Sequence, residues 1–452
     1  MATSTIDLNA LLSSLGSGAS GINVSAAVAG AIYAEQAPER QWQLEQANLQ
    51  AEQGAINQIN SLSSTLSDAV QALADPVGAL FDTTATSSAT NILTATAQAG
   101  AVSGSHVITV NSLATTGSWY SDEVSSSSTP LNPGSFSLQV GSGNPTTITI
   151  GSGVNTLDDL ASYINGQNLG VNASVVNDAN GARLAIVSQN SGSANDISIS
   201  GATGLLFHQA AKGQDASLTV DGIPVDSASN TVTGAVSGLT LNLQSAAPGT
   251  TVNVSVGPDS TSIANAVNNF VSAYNALIQN VSSQFVYDPT NQSQGPLADD
   301  SSVRSLQDSM LGLGGYVGSG TVSTLSDLGI TMNNDGTLSV DSTALNNAIQ
   351  NNMPGVQNFF QGASSNGFAN TVQTQLNTYT DPTQGAFTLD LQSIKQQNSD
   401  LQDQIDNFDV YIASEQTRLQ AEYSQADIAL QQLPNVMNQI NAMLGNNTKS
   451  NG

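Results

Sequence analysis

The chain has 452 residues, with 7 Lys and Arg against 34 Asp and Glu, a formal net charge of -27. So acidic a surface excludes a grip on nucleic-acid phosphates and disfavours anionic membranes, since both rest on cationic contacts. Cysteine is absent, which excludes disulfides, thiolate nucleophiles and Cys-based metal sites, and only 9% of residues are charged, so polarity comes from Ser, Thr, Asn and Gln as in extracellular and fibre proteins.

Residues 1–22 are rich in Ser, Gly and Ala, and their weak periodicity predicts a mobile start. They lack the basic start and apolar core of a secretory signal, and no segment reaches the roughly 18 apolar residues of a membrane span. An extracellular composition without such a signal leaves a cytoplasmic protein or one exported by another route. Helical pattern runs from Val24 to Leu73, with a break expected near Pro38. Trp42, Leu49, Ile56 and Val70 share one heptad position, interrupted by Ser63, and Ile59, Leu66 and Leu73 share its partner, a coiled-coil seam with polar interruptions. Asp75-Pro76 ends it.

From about Leu80 to Val256 short runs of Val, Ile, Thr and Leu alternate with Gly, Asn and Ser. HVITV, FSLQV, TTITI, NASVVN, RLAIVS, DISIS, SLTV, LTLNL and TVNVSV read as strands of one or two mainly antiparallel β domains. Asn180-Gly181 and Asp221-Gly222 fit two-residue hairpin turns, which need positive φ. One helix, TLDDLASYING, interrupts the strands. Helices follow at Ile263–Val281 and Ser301–Leu311, then a hairpin turning at Asp335-Gly336 and a helix over Ser342–Phe360.

The last helix is expected from about Leu389 to Leu444. Leu391, Ile394, Asn398, Leu401, Ile405, Phe408 and Ile412 step by three and four; the rhythm slips to Gln416 and resumes through Leu419, Tyr423, Ala426, Leu430, Leu433, Met437, Ile440 and Leu444. Such a stutter unwinds a left-handed coil locally, and Pro434 invites a kink. Both terminal helices carry a stripe too narrow to bury itself, so each needs the other or a neighbouring subunit as its second wall.

No chemistry stands out. His106 and His208 lack a surrounding motif for a Ser-His-acid site and read as strand or loop surface. Asn333, Asp335 and Gly336 echo a calcium loop, but Thr331 and Ser342 stand where that loop needs its first and twelfth ligands. Asp158 and Asp159 suit a helix N-terminus. Neither an enzyme nor a cofactor or metal is expected.

INVSAAVAGAIYAEQAP, INSLSSTLSDAVQALADP with NILTATAQAGAVSGSHVITVNSLA, LTVDGIPVDSASNTVTGAVSGLTLNL with FVSAYNALI, and LGITMNNDGTLSVDSTALNNAI ending in Phe359 and Phe360 occur in one order. In that order they resemble the flagellar filament cap family, hook-associated protein 2, from about Ile22 to Leu444. TLDDLASYINGQNLGVNASVVNDANGARLAIVSQNSG resembles an insert shared with flagellins. The termini are less charged than is usual there, and Ile22-Asn23 replaces the commoner Leu-Asp.

The resemblance implies an α+β multidomain chain with terminal coiled-coil helices, a helical leg with a β-hairpin, and an inserted, mainly antiparallel β head of two subdomains. The expected divisions are a flexible export and coiled-coil segment over 1–40, a first leg helix over 41–77, an inner head over 78–127 and 205–258, an outer head over 128–204, the rest of the leg over 259–400 and a coiled-coil helix over 401–452. It further implies a cap at the flagellar tip that promotes flagellin polymerisation, made of five or six copies by resemblance. Flagellin, the hook-filament junction protein and the export apparatus with its chaperone are the expected partners. The route is the flagellar type III channel, without a cleaved signal. Leu49, Ile56, Ile59, Leu66, Leu401, Ile405, Phe408, Ile412, Leu419 and Tyr423 are the expected coiled-coil and oligomer seam. An adhesin binding host glycan or protein through the head is the alternative, and the polar loops around Ser121–Pro133 would serve either role. A flagellin or hook-junction protein is a third reading, opposed by the leg and hairpin segments.

Overall fold

The computed structural model describes residues 23–290, 293–363 and 366–447, with side chains as far as Met443. The expected mobility of residues 1–22 and the seam's last member, Leu444, lie outside these. Helix α1 (Val24–Glu35) starts at Asn23, whose side chain accepts from the Ala26 N–H at 3.1 Å. At Gln36 it gives way to α2 (Ala37–Ala74), with Pro38 in the first turn, where its missing N–H has no helical partner to lose. The break near Pro38 is thus a joint between two helices.

The head opens with β1 (Thr83–Ser87), β2 (Leu93–Ala97) and β3 (Gly104–Ser112). Then come β4 (Ser118–Ser121), β5 (Gly134–Val140), β6 (Thr146–Ile150), α3 (Leu157–Gly166), β7 (Val171–Asn177), β8 (Ala182–Ser188), β9 (Ile197–Ser200) and β10 (Phe207–Ala211). The chain returns through β11 (Ala216–Val220), β12 (Ile223–Ser227), β13 (Thr231–Thr233), β14 (Leu239–Leu243) and β15 (Val252–Pro258). The inner sheets run β1-β15-β3-β11-β12 and β13-β14-β2, and every pairing is antiparallel. Their shared core includes Ile108, Val110, Leu218, Leu241, Val252 and Val254.

The outer sheets run β10-β4-β8-β7 and β6-β5-β9, with α3 packed against them around Phe136, Ile148, Leu160, Ile164, Leu184 and Ile186. Here the expected outer boundary of 128–204 is corrected. β4 and β10 pair with each other and with β8, and Trp119, Val124 and Phe207 pack on the outer core. Both strands are short and lack an apolar–polar alternation, so their place is set by pairing, not by their own pattern. The β7–β8 hairpin is also corrected. Asn177 pairs with Ala182, leaving Asp178–Gly181 as a four-residue loop in which the Asp178 carboxylate accepts from the Asn180 and Gly181 N–H groups. Gly181 is needed for space: a Cβ there would lie 2.2 Å from the Val124 carbonyl oxygen. Asp221-Gly222 does form the two-residue turn, with φ of 52° and 82°.

The leg comprises α2, α4 (Ser260–Ser283), α5 (Ser301–Gly312), the hairpin β16 (Ile330–Met332) and β17 (Leu338–Val340), α6 (Ser342–Gln361), α7 (Phe368–Thr380) and α8 (Ala386–Asn447). Asp259, Asp300 and Asp341 cap α4, α5 and α6 through their carboxylates. Asn352 breaks the helical dihedrals of α6 just before Pro354. One core joins α2, α4, α6, α7 and the start of α8, and includes Phe270, Tyr274, Phe359, Phe360 and Phe368. α7 was not apparent in the polar stretch FANTVQTQLNTYT; its Phe368, Val372, Leu376 and Tyr379 are buried against neighbours that supply the missing wall. α8 runs on through Pro434 in one continuous helix. Among the described residues no helix is long and apolar enough to cross a membrane.

Candidate assembly interface

The seam residues fall into three zones along α8. In the first, Leu49, Ile56, Ile59 and Leu66 of α2 join Leu401 in the leg core. Their partners are helices of the same chain, so the expected oligomer seam is corrected here: it is intramolecular. Four helices close around α2, and no face at these positions is left for another subunit. Ser63 is fully buried with no partner for its hydroxyl, and the Asn398 amide oxygen is likewise buried and unpaired. Gln46 donates to the Asn398 backbone oxygen at 3.4 Å and to Gln402 Oε1 at 3.2 Å. An alternative register would break these bonds.

In the second zone α1 covers α8. Val28, Ile32 and Ile412 are buried together, with Val24, Phe408, Leu419 and Tyr423 packed on them. Ile405 is buried beside this zone, and Trp42 meets Phe408 edge-on at a ring separation of 5.3 Å. Each terminal helix is therefore the other's wall. The predicted stutter at Gln416 is corrected: the buried side chain is Glu415, 8% exposed, and Gln416 is exposed. Three-and-four spacing thus continues through Ile412, Glu415 and Leu419, and the extra four-residue step falls between Leu419 and Tyr423 instead. Sequence reasoning passed over Glu415 because a lone buried charge is costly, but Arg418 pairs with it and reaches Glu422 at 2.9 Å. The Arg418 hydrogen bond holds the Glu415 carboxyl below the usual range. Gln416 instead lines a groove of about 290 Å³ with Val28, Ile32, Tyr33 and Gln36.

Beyond Tyr423 the stripe has no wall among the described residues. Leu433 is 51% exposed, Met437 60% and Ile440 49%, and Leu430 is also exposed. That is the surface left over.

The residues weighed for chemistry lie elsewhere. His106 Nδ1 is 2.8 Å from Asp221 and His208 Nε2 is 2.7 Å from Asp122, both pairs on the head surface. Among the described residues no three His, Asp or Glu side chains gather as a metal site. The Ser121–Pro133 loop is tied to itself and its surroundings: the Ser126 N–H donates to Thr129 Oγ1, and the Leu157 N–H donates to the Ser127 oxygen.

A head of layered sheets, a helical leg that closes its own core and a terminal helix whose end is uncovered among the described residues define an elongated α+β architecture without a catalytic centre among those residues. The family model for the flagellar hook-associated protein 2 N-terminus matches residues 20–117, that for the C-terminus residues 213–435, and the flagellin hook IN motif residues 135–190. The B-type flagellar hook-associated protein 2 of Pseudomonas aeruginosa is 30% identical over 400 residues, 81% of this chain and 82% of the relative. The flagellar hook-associated protein 2 of Escherichia coli K12 is 27% identical over 98% of this chain and 100% of its own. The crystal structure of the D1-D2-D3 domains of the Escherichia coli flagellar cap protein FliD superposes with a TM-score of 0.58 at 25% identity, over 75% of this chain and 99% of that one. The chain belongs to the flagellar hook-associated protein 2 family. That family is structural, and the chain is not an enzyme.

Proposed function

We propose that this chain is a filament cap subunit that sits at the distal end of a bacterial flagellum and promotes flagellin polymerisation there. The observation that carries this reading is the order of matches along one chain, N-terminal model, IN motif and C-terminal model, on a fold that follows a flagellar cap protein. The mechanism is steric. Heads of several copies form a plate, and the legs hold it above the site where flagellin folds. The apolar stripe of α8 beyond Tyr423 is the working end, since the earlier seam is filled by α1 and α2. Export through the flagellar channel requires an unfolded chain, and the lack of disulfides and the polar terminal helices suit that passage. The chaperone, the export apparatus and the junction protein are its further proposed partners, and five or six is its proposed copy number. Nothing in the sheets or among the relatives favours an adhesin.

The test is Leu433→Asp with Ile440→Asp. Two carboxylates on the stripe oppose burial at an interface but touch neither core, so leg and head should melt as before. Cells carrying this variant should shed flagellin into the medium and lack long filaments. Asn435→Asp with Gln439→Asp, on the opposite face, should be tolerated. Normal swimming by the stripe variant would refute the mechanism.

A further inference from the structure

The two outer-head sheets end in four strand edges, β10, β7, β6 and β9. An edge with unpaired N–H and C=O groups is a template for another strand, and three of these four are blunted. On β7, Asn165 of α3 lays its amide against Ala173, donating to its carbonyl at 2.8 Å and accepting from its N–H at 2.7 Å. On β9, the Trp119 indole N–H donates to the Ile197 carbonyl at 2.8 Å, and the Asp196 carboxylate accepts from the Ile197 N–H. β10 slips register against β4 between Gln209 and Ala211. Among the described residues β6 carries no such device.

The direction of its free groups follows from its neighbours. The Thr203 N–H donates to the Ser135 carbonyl and the Gly141 N–H to the Asp196 carbonyl, so odd-numbered residues of β5 face β9. Gly134, Phe136 and Leu138 therefore bond β6 through Ile150, Ile148 and Thr146. The N–H and C=O groups of Thr147 and Thr149 point away from the sheet, and no described residue meets them. Both side chains are exposed. Pro145 bounds this window at one end, and Gly151, already bridged to Val154, bounds it at the other.

We propose that this edge pairs with the same edge of a second copy, antiparallel, across a two-fold axis at Ile148. Thr147 of each copy then faces Thr149 of the other, the facing residues exchange N–H···O=C bonds, and the two small sheets become one. Thr-Thr neighbours across such a pair are favourable. The occupant is a copy of this chain because the strand is self-complementary about Ile148, as a two-fold interface requires. Charge points the same way. From Val124 to Leu157 there is no charged residue, in a chain of net charge -27, so two copies meet here without opposing like charges, and a charged peptide finds no complement. A two-fold contact closes at two copies, so it lies outside the contacts between neighbours within the plate proposed above; it is separate from the terminal helix and does not depend on the cap reading.

The experiment uses the full chain, which has no cysteine of its own. The double variant Thr147→Cys, Thr149→Cys should form a disulfide-linked dimer under mild oxidation, since paired strand positions lie within disulfide reach. Adding Leu433→Asp and Ile440→Asp should leave that cross-link intact. Thr149→Pro removes an outward donor while keeping the bonds to β5, and should weaken pairing about tenfold by light scattering, with head melting unchanged. Thr149→Lys repeats the test should proline loosen the strand. A folded head that gives no cross-linked dimer overturns the proposal. So does self-association that both the proline and lysine variants leave untouched, or a loss confined to binding of monomeric flagellin.

Discussion

Glu415 and Asp390 sit on one helix and answer pH in opposite senses. The Glu415 carboxyl is held below its ordinary 4.5 by the Arg418 hydrogen bond. Its contribution is complete above the unfolded value and is lost as pH falls through the depressed one. Asp390 is raised above 3.8 by burial, against a hydrogen bond from Ser302 that lowers it, and the Asp300 charge raises it further; one of its oxygens is buried without a partner. Glu52, across the leg on α2, is raised above 4.5 by burial and by the same Asp300. Raised carboxyls bind protons more tightly in the folded state, so these two oppose folding at neutral pH and cease to as pH falls through their raised values. Acidification from pH 7 to about 4 should therefore relieve the leg while the grip of α1 on α8 weakens only lower down. Hydrogen exchange of α1 amides against those around Asp390 measures both. Asp390→Asn should raise the leg's melting temperature at pH 7 and lose that advantage in acid. An equal gain at both pH values would contradict this account.

At the scale of elements, legibility tracked how much of each element's stability is local. The strands with strict alternation, such as Ala182–Ser188 with its buried Leu184 and Ile186, were evident from sequence. Thr83–Ser87, Ser118–Ser121 and Phe207–Ala211 were not, because none shows large apolar side chains in alternation and all are held by their pairing partners. Asn165 belongs to the same class. Nothing in TLDDLASYING marks it as the residue that closes the β7 edge. Asn165→Ala should leave the Ala173 backbone groups unsatisfied and cost the outer head ~1–3 kcal/mol. Thermal melting of the head measures the loss, and a change within error would mean that water replaces the amide freely.

The whole molecule holds separate cores in the leg, the inner head and the outer head. Ile56 is fully buried in the first and touches neither of the others. Ile56→Ala should destabilise the leg by ~2–5 kcal/mol and shift one calorimetric transition, leaving the head transition in place. A single transition that moves as a unit would show tighter coupling through the joint, where Gln357 donates to the Leu80 carbonyl at 2.9 Å and Gln361 to the Asp75 carbonyl at 3.0 Å. Net charge acts at this scale too. Copies of charge -27 repel, and salt screens that repulsion within about 10 Å at 0.1 M. Assembly mass by light scattering should grow with salt, and steady loss with salt would instead place ion pairs in control.

Composition, heptad spacing and strand alternation by themselves determined an acidic, cysteine-free chain with helical ends around a β-rich middle, while the structural class and the inserted head were what the family resemblance implied. Those features are repeated many times along the sequence, so the local energetics that produce them add without reference to the fold. Only the tertiary structure decided what each stripe packs against. Leu49, Ile56, Ile59 and Leu66 face helices of their own chain, Ile412 faces α1, and only the stripe beyond Tyr423 is uncovered among the described residues. It also put Glu415 in the seam in place of Gln416. An apolar stripe states that a wall is needed and is silent about which wall, because hydrophobic burial has no direction; geometry alone chooses the partner.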